Sequence, residues 1–245
     1  MLFRSVVDEL QRLEAIGDPW FVHASIYRPH PPFTVPAPYH DLVDPATVPV
    51  AIMDHGPATD AHPFVTAARS FGVYRPPADD LDLRQVRATY YGMMAEVDAQ
   101  MGRLLTGLDD LGVADQTVVV VTSDHGEMLG YHGLIAKGAL MYEDLVRIPM
   151  IIHPPGGVGT PHRCAHVVSL IDLVPTIVRF CGGDPASILQ GIDFGDLIRG
   201  ADHAVNDGVA AEFHSVNWTD PLHPLRMWVG ERWKYVESQD DSDEL

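Results

Sequence analysis

The run Val118-Val119-Val120-Val121, flanked by Thr117 and Thr122, constrains this 245-residue chain more than any other stretch. Four β-branched residues in an unbroken row leave no polar face, which suits a strand covered on both sides in a parallel sheet better than an amphipathic helix. Ser123-Asp124-His125-Gly126-Glu127 follows at once, and Lys137-Gly138 returns thirteen positions after Asp124. In open α/β sheets, ligands and catalytic groups gather beyond the carboxyl ends of the strands. A carboxylate and an imidazole on adjacent residues can both reach one cation, because Gly126 lets the chain turn sharply away. Lys137 then adds a compact positive charge for an anionic substrate. The competing reading makes Asp124 the cap of a following helix and His125 a surface histidine. Asp-His-Gly alone leaves the two readings even.

Along the chain, strands and helices alternate. Residues 2–16 read as an amphipathic helix ended by Gly17-Asp18-Pro19, and Trp20 to Ile26 as a strand. A proline-rich loop over 29–77 carries His40, His55 and His62, read as exposed loop residues rather than ligands, and is expected to border the substrate pocket. A helix from about Leu83 to Leu111 places Met94, Val97, Met101, Leu104, Leu105 and Leu108 on one core-facing stripe and ends at Gly112. Arg147 to Ile152 reads as a strand entering a Pro154-Pro155-Gly156-Gly157 turn. Ser169 and Asp172 are spaced as a capping box for a helix reaching Cys181, which makes Asp172 structural; Pro175 allows a slightly later start. Leu225 to Val236 suggests a hairpin. Cys164 and Cys181 read as two buried thiols rather than a disulfide or zinc pair.

Composition sets limits on partners. With 46% apolar and 20% charged residues, the chain can fill one sizeable core. A formal charge of -18 opposes encounter with nucleic acid or an anionic membrane. An anionic ester can bind only where local positive charge outweighs that field. No run reaches the length of a membrane span, and the first ten residues do not resemble an export signal, so a cytoplasmic location is expected. The terminal Ser242-Asp243-Glu244-Leu245 is read as a chance match to a retention signal.

Two blocks together resemble a known family. Thr122-Ser123-Asp124-His125-Gly126-Glu127-Met128-Leu129-Gly130-Tyr131-His132-Gly133, continuing through Lys137-Gly138 to Arg147-Ile148-Pro149-Met150, is similar to a signature of the sulfatases and phosphonate monoester hydrolases of the alkaline phosphatase superfamily. Phe21-Val22-His23-Ala24-Ser25-Ile26-Tyr27-Arg28-Pro29-His30-Pro31-Pro32-Phe33 resembles the family's strand-to-loop segment, in which a histidine points into the active site. The resemblance implies an α/β fold of the alkaline-phosphatase type: a mostly parallel central sheet flanked by helices, incomplete at the N-terminus. Residues 1–200 would be the later part of the catalytic domain and 201–245 the start of a small α+β subdomain. It implies that Asp124 and His125 are metal ligands and that Lys137 and His30 contact the sulfate, phosphate or phosphonate oxygens. The expected substrate is a small anionic ester, with self-association left open.

The departures from the family pattern matter as much. The family nucleophile is a cysteine or serine in Cys/Ser-x-Pro-x-Arg, oxidised to formylglycine. Cys164 is followed by Ala-His-Val and Cys181 by Gly-Gly-Asp-Pro, so no nucleophile is found in these residues, and formylglycine is expected in a preceding half. His125 stands where many sulfatases have asparagine, which moves metal preference from calcium or magnesium toward manganese, iron or zinc without deciding among them. Tyr131 replaces the aspartate usual in the Gly-Asp-His-Gly part of the signature. Besides a metal-dependent ester hydrolase, the alternatives are a non-catalytic remnant and a phosphodiesterase-like or mutase-like relative.

Overall fold

A computed structural model describes residues 2–52, 63–138, 140–157, 161–214 and 224–238. In chain order its elements are α1 (Leu2–Ile16), α2 (Pro63–Ser70), α3 (Asp80–Asp110), β1 (Val119–Thr122), α4 (Glu143–Val146), β2 (Met150–His153), α5 (Leu170–Phe180), α6 (Gly195–Ile198), β3 (Gly208–Phe213), β4 (Leu225–Gly230) and β5 (Lys234–Ser238). They fall into two compact units. One comprises Met1–Asp54, Arg75–Thr117 and Leu129–Ala136; the other comprises His55–Tyr74, Val118–Met128 and Lys137–Leu245. Among the described residues, no helix is long and apolar enough to cross a membrane.

The first unit is organised by α3. Asp79 caps it, its carboxylate accepting from the Leu81 N–H at 2.8 Å and the Asp82 N–H at 3.3 Å, while Asp80 and Asp82 oppose the positive end of the dipole. It stops where Gly112 takes φ 71° and bonds back to the Asp109 carbonyl at 2.9 Å. Helix α1 packs on it through Val7, whose methyls lie 3.3 Å from where a Cβ on Gly107 would sit. The buried stripe contains Leu83, Ala88, Met93 and Leu108. Met94 and Leu105 were expected in that stripe but are 44% and 48% exposed. Met93, beside Met94, takes the buried place, while Leu108 stays buried as expected.

Two expectations for this stretch change. Trp20 to Ile26 is extended, with exposure alternating residue by residue, but it joins no ladder among the described residues. Its sequence fixes the conformation, and a strand also needs a partner. The 29–77 segment is not one irregular loop: helical turns at Tyr39–Asp41 and Pro45–Thr47 and helix α2 occur within it. His40 is exposed and paired with Asp41 at 2.8 Å, as a loop histidine should be; His55 and most of what surrounds it, with His62, lie outside the described residues.

The second unit holds the valine strand. β1 pairs antiparallel with β2 in the register Val119↔His153 to Thr122↔Met150. The parallel pairing expected for β1 is therefore not found, and neither is burial on both faces: Val119 to Val121 are half-buried and Thr122 is exposed. A parallel return needs a crossover long enough to reverse direction, usually a helix, and the described residues between β1 and β2 contain only short helical turns. β2 contributes Met150 and Ile152 to a core built on Phe194, Leu197 and Ile198, to which Leu173 and Phe180 of α5 also pack.

Asp172 organises the start of α5. Its buried carboxylate accepts from the N–H of Ser169 at 2.8 Å and of Ile192 at 2.8 Å, and from the Asn206 side chain at 3.2 Å. The capping box forms with the helix starting at Leu170, so Pro175 lies inside the helix and does not delay it. Downstream, the hairpin of β4 and β5 gains a third strand, β3, in an antiparallel sheet of order β3-β4-β5. Cys164 and Cys181 are exposed, correcting the reading of both as buried.

Candidate metal and anion site

At the carboxyl end of β1 the chain is fixed from both sides. Thr122 Oγ1 donates to the Pro149 carbonyl at 2.9 Å, and Ser123 Oγ donates to the His125 carbonyl at 2.8 Å. The N–H groups of Gly126 and Glu127 then donate to the carbonyls of Leu145 and Asp144 at 2.8 and 3.0 Å. A Cβ on Gly126 would lie 1.8 Å from the Asp144 carbonyl oxygen, so glycine is required here by close backbone approach.

This turn leaves the Asp124 carboxylate 85% exposed and the His125 imidazole 40% exposed, side by side. No helix follows Asp124, so its role as a helix cap is excluded. One carboxylate oxygen, Oδ1, accepts from the His125 N–H at 3.0 Å; the other, Oδ2, is 3.7 Å from His125 Nε2. His125 Nδ1 is 2.8 Å from the Gly126 carbonyl. A carbonyl oxygen only accepts, so Nδ1 carries the proton, and in the neutral ring the lone pair is on Nε2, beside Asp124. Such a hydrogen bond on the second ring nitrogen is how metal-binding histidines are oriented.

The pair fits a divalent cation. The separation of Nε2 and Oδ2 is too long for a hydrogen bond. It matches two donors each about 2.0–2.2 Å from a common ion. Among the described residues no group of three or more His, Cys, Asp or Glu is placed to hold a metal.

Lys137 belongs to the same compact unit as the pair. Burial holds its pKa below the ordinary lysine range, and the carboxylates of Glu127 and Asp124 partly oppose that shift. His30 lies in the other unit. There its Nδ1 donates to the Pro31 carbonyl at 2.7 Å and its ring stacks on Tyr27 with centroids 4.4 Å apart. As at His125, this bond fixes the ring and leaves the lone pair of the neutral imidazole on Nε2. Sequence reasoning missed the roles of Ser123 in holding the His125 carbonyl and of Glu127 in the field at Lys137. Both lie inside the signature block, yet neither residue type signals its role without coordinates.

Comparison with known proteins identifies the family. The Sulfatase family profile matches residues 2–183, and the profile for N-sulphoglucosamine sulphohydrolase, C-terminal, matches residues 130–245. The chain belongs to the sulfatase family, hydrolases of the alkaline phosphatase superfamily with its α/β fold. It is 35% identical to the multifunctional alkaline phosphatase superfamily protein PehA of Trinickia caryophylli, over 71% of this chain and 36% of that protein. It is 32% identical to the uncharacterized sulfatase YidJ of Escherichia coli, over 98% of this chain and 46% of that protein. Among solved structures, the phosphonate monoester hydrolase of Silicibacter pomeroyi superposes with a TM-score of 0.82 at 28% identity, covering 98% of this chain and 52% of that one. The chain thus spans about half the length, or less, of the relatives it matches.

Proposed function

We propose that this chain carries the metal- and anion-binding part of a hydrolase acting on sulfate or phosphonate esters. The observation that carries the reading is the orientation of His125: with Nδ1 committed to the Gly126 carbonyl, Nε2 and Asp124 Oδ2 present two donors to one point in space. Asp124 and His125 would hold a divalent ion. When bound, that ion neutralises charge on a non-bridging ester oxygen and on the attacking group.

The remaining tasks fall to this chain's own side chains. Lys137 supplies positive charge to the ester oxygens against a protein of net charge -18. A lysine held below its ordinary pKa gives up a proton more readily, which suits donation to a departing oxygen. His30, with its lone pair on Nε2, is the histidine that the family resemblance assigns to the ester oxygens. The nucleophile, a formylglycine in this reading, is contributed by residues outside these 245, since no Cys/Ser-x-Pro-x-Arg occurs in them.

The test is turnover of an aryl sulfate and of a phenyl phosphonate ester, with and without chelator. Activity lost on chelation and in Asp124→Ala supports the proposal; activity unchanged in metal-depleted buffer contradicts it. A second reading, metal binding without turnover, is favoured by the missing nucleophile motif. Metal retention with no hydrolysis of either ester would select it.

A further inference from the structure

We propose that Arg87 is the positioning residue of the Leu129–Ala136 loop, holding it in place through a cation–π clasp on Tyr131. Arg87 is 2% exposed, the most deeply buried charged side chain among the described residues. Its Cζ lies 5.0 Å from the centroid of the Tyr131 ring, and its Nη2 lies 3.3 Å from the Tyr131 hydroxyl and 3.5 Å from that of Tyr91. Among the described residues, Nε and Nη1 have no hydrogen-bond partner and no carboxylate acts on the guanidinium. A buried guanidinium without a counter-ion is costly, so the ring it faces is its principal compensation. Cation–π attraction is strongest where water is excluded.

The loop needs such an anchor. Leu129, Gly130, His132, Gly133 and Ala136 all have positive φ, and three of the five are not glycine. Backbone in that region is retained only where its surroundings over-determine it. Leu83, one turn before Arg87 on α3, closes the other contact: its methyls come within 2.8 and 3.0 Å of where a Gly130 Cβ would sit, and Ala51 within 3.1 Å. Leu83 therefore packs the loop while Arg87 grips it. Tyr131 occupies the place where the family signature carries aspartate, and in this chain it meets Arg87 through its ring.

The bearing on catalysis rests on the proposed function, because the loop is the covalent link between the Asp124–His125 turn and Lys137. The clasp itself is testable without turnover, so failure of the proposed activity leaves this test standing. The readout is hydrogen exchange of the Gly130, His132, Gly133 and Leu134 amides, each of which has a backbone acceptor. Arg87→Met should speed these amides by about tenfold, leaving those of α3 unchanged, and Arg87→Lys should restore part of the protection. Tyr131→Phe, which keeps the ring, should stay within about twofold of wild type, whereas Tyr131→Leu should match Arg87→Met. The Arg87→Met/Tyr131→Leu double variant should be no worse than either single one. Equal exchange in the Phe and Leu variants, or wild-type loop exchange in Arg87→Met, overturns the proposal. Should Arg87→Met fail to fold, the Phe and Leu comparison decides alone.

Discussion

At Lys137, burial and charge pull one amine in opposite directions. Burial disfavours its ammonium form, Glu127 and Asp124 favour it, and burial prevails. The folded-state pKa therefore lies below the unfolded value of about 10.4. Below both values the folded state bears the full cost of the charge. As pH rises through the folded pKa the native amine loses its proton first, so this group's contribution to stability increases until about pH 10.4. In metal-free protein, Lys137→Met should thus be the more stable form at pH 7, and its advantage should shrink steadily toward pH 10, read by urea unfolding at each pH. A constant difference would contradict the assignment. Glu127→Gln should lower the Lys137 pKa further, because it removes the largest opposing charge; pH-dependent amine labelling measures this. The side-by-side placing of Asp124 and His125 was legible in the sequence because the two are adjacent and follow one strand closely. Arg87 was not, since an arginine on a long helix reads as a solvated side chain until coordinates place it under Tyr131.

At the level of elements, the seam between the Gly126 turn and α4 is the rigid part of the site. Gly126→Ala would put a methyl group on the Asp144 carbonyl, and overpacking of this kind costs about 1–3 kcal/mol. Urea unfolding should show that loss, and metal affinity should fall with it; a neutral substitution would mean the two backbones are free to separate. At the head of α5, Asp172→Ala leaves the N–H groups of Ser169 and Ile192 without their acceptor, an expected loss of about 2–3 kcal/mol. The boundaries at Gly112, Ser169 and Asp172 were legible because capping is local, whereas Asp79 starts α3 at Asp80, three residues before the expected Leu83. Strand pairing was not legible. Four valines specify an extended conformation, but whether β1 runs beside a parallel or an antiparallel neighbour depends on how the chain returns to Met150. Trp20 to Ile26 has the same limitation in stronger form, being strand-like in alternation and without a ladder partner among the described residues.

Over the whole molecule, the acidic surface and the proposed site act against each other. A net charge of -18 repels an anionic ester at long range, and about 0.15 M salt screens that repulsion within roughly 8 Å. Substrate affinity should accordingly change little, or rise, as salt increases from low ionic strength, the opposite of the weakening seen where a basic surface attracts an anion. In the proposed function a bound metal would supply the charge that Lys137 alone does not, so the central claim is that Asp124 and His125 bind a divalent cation. Calorimetric titration of the chain with manganese tests this most directly, alongside Asp124→Ala and His125→Ala. The account predicts one binding site in the wild type, weakened at least about tenfold by either substitution. Indistinguishable isotherms for the three proteins, or no binding by the wild type, would contradict it.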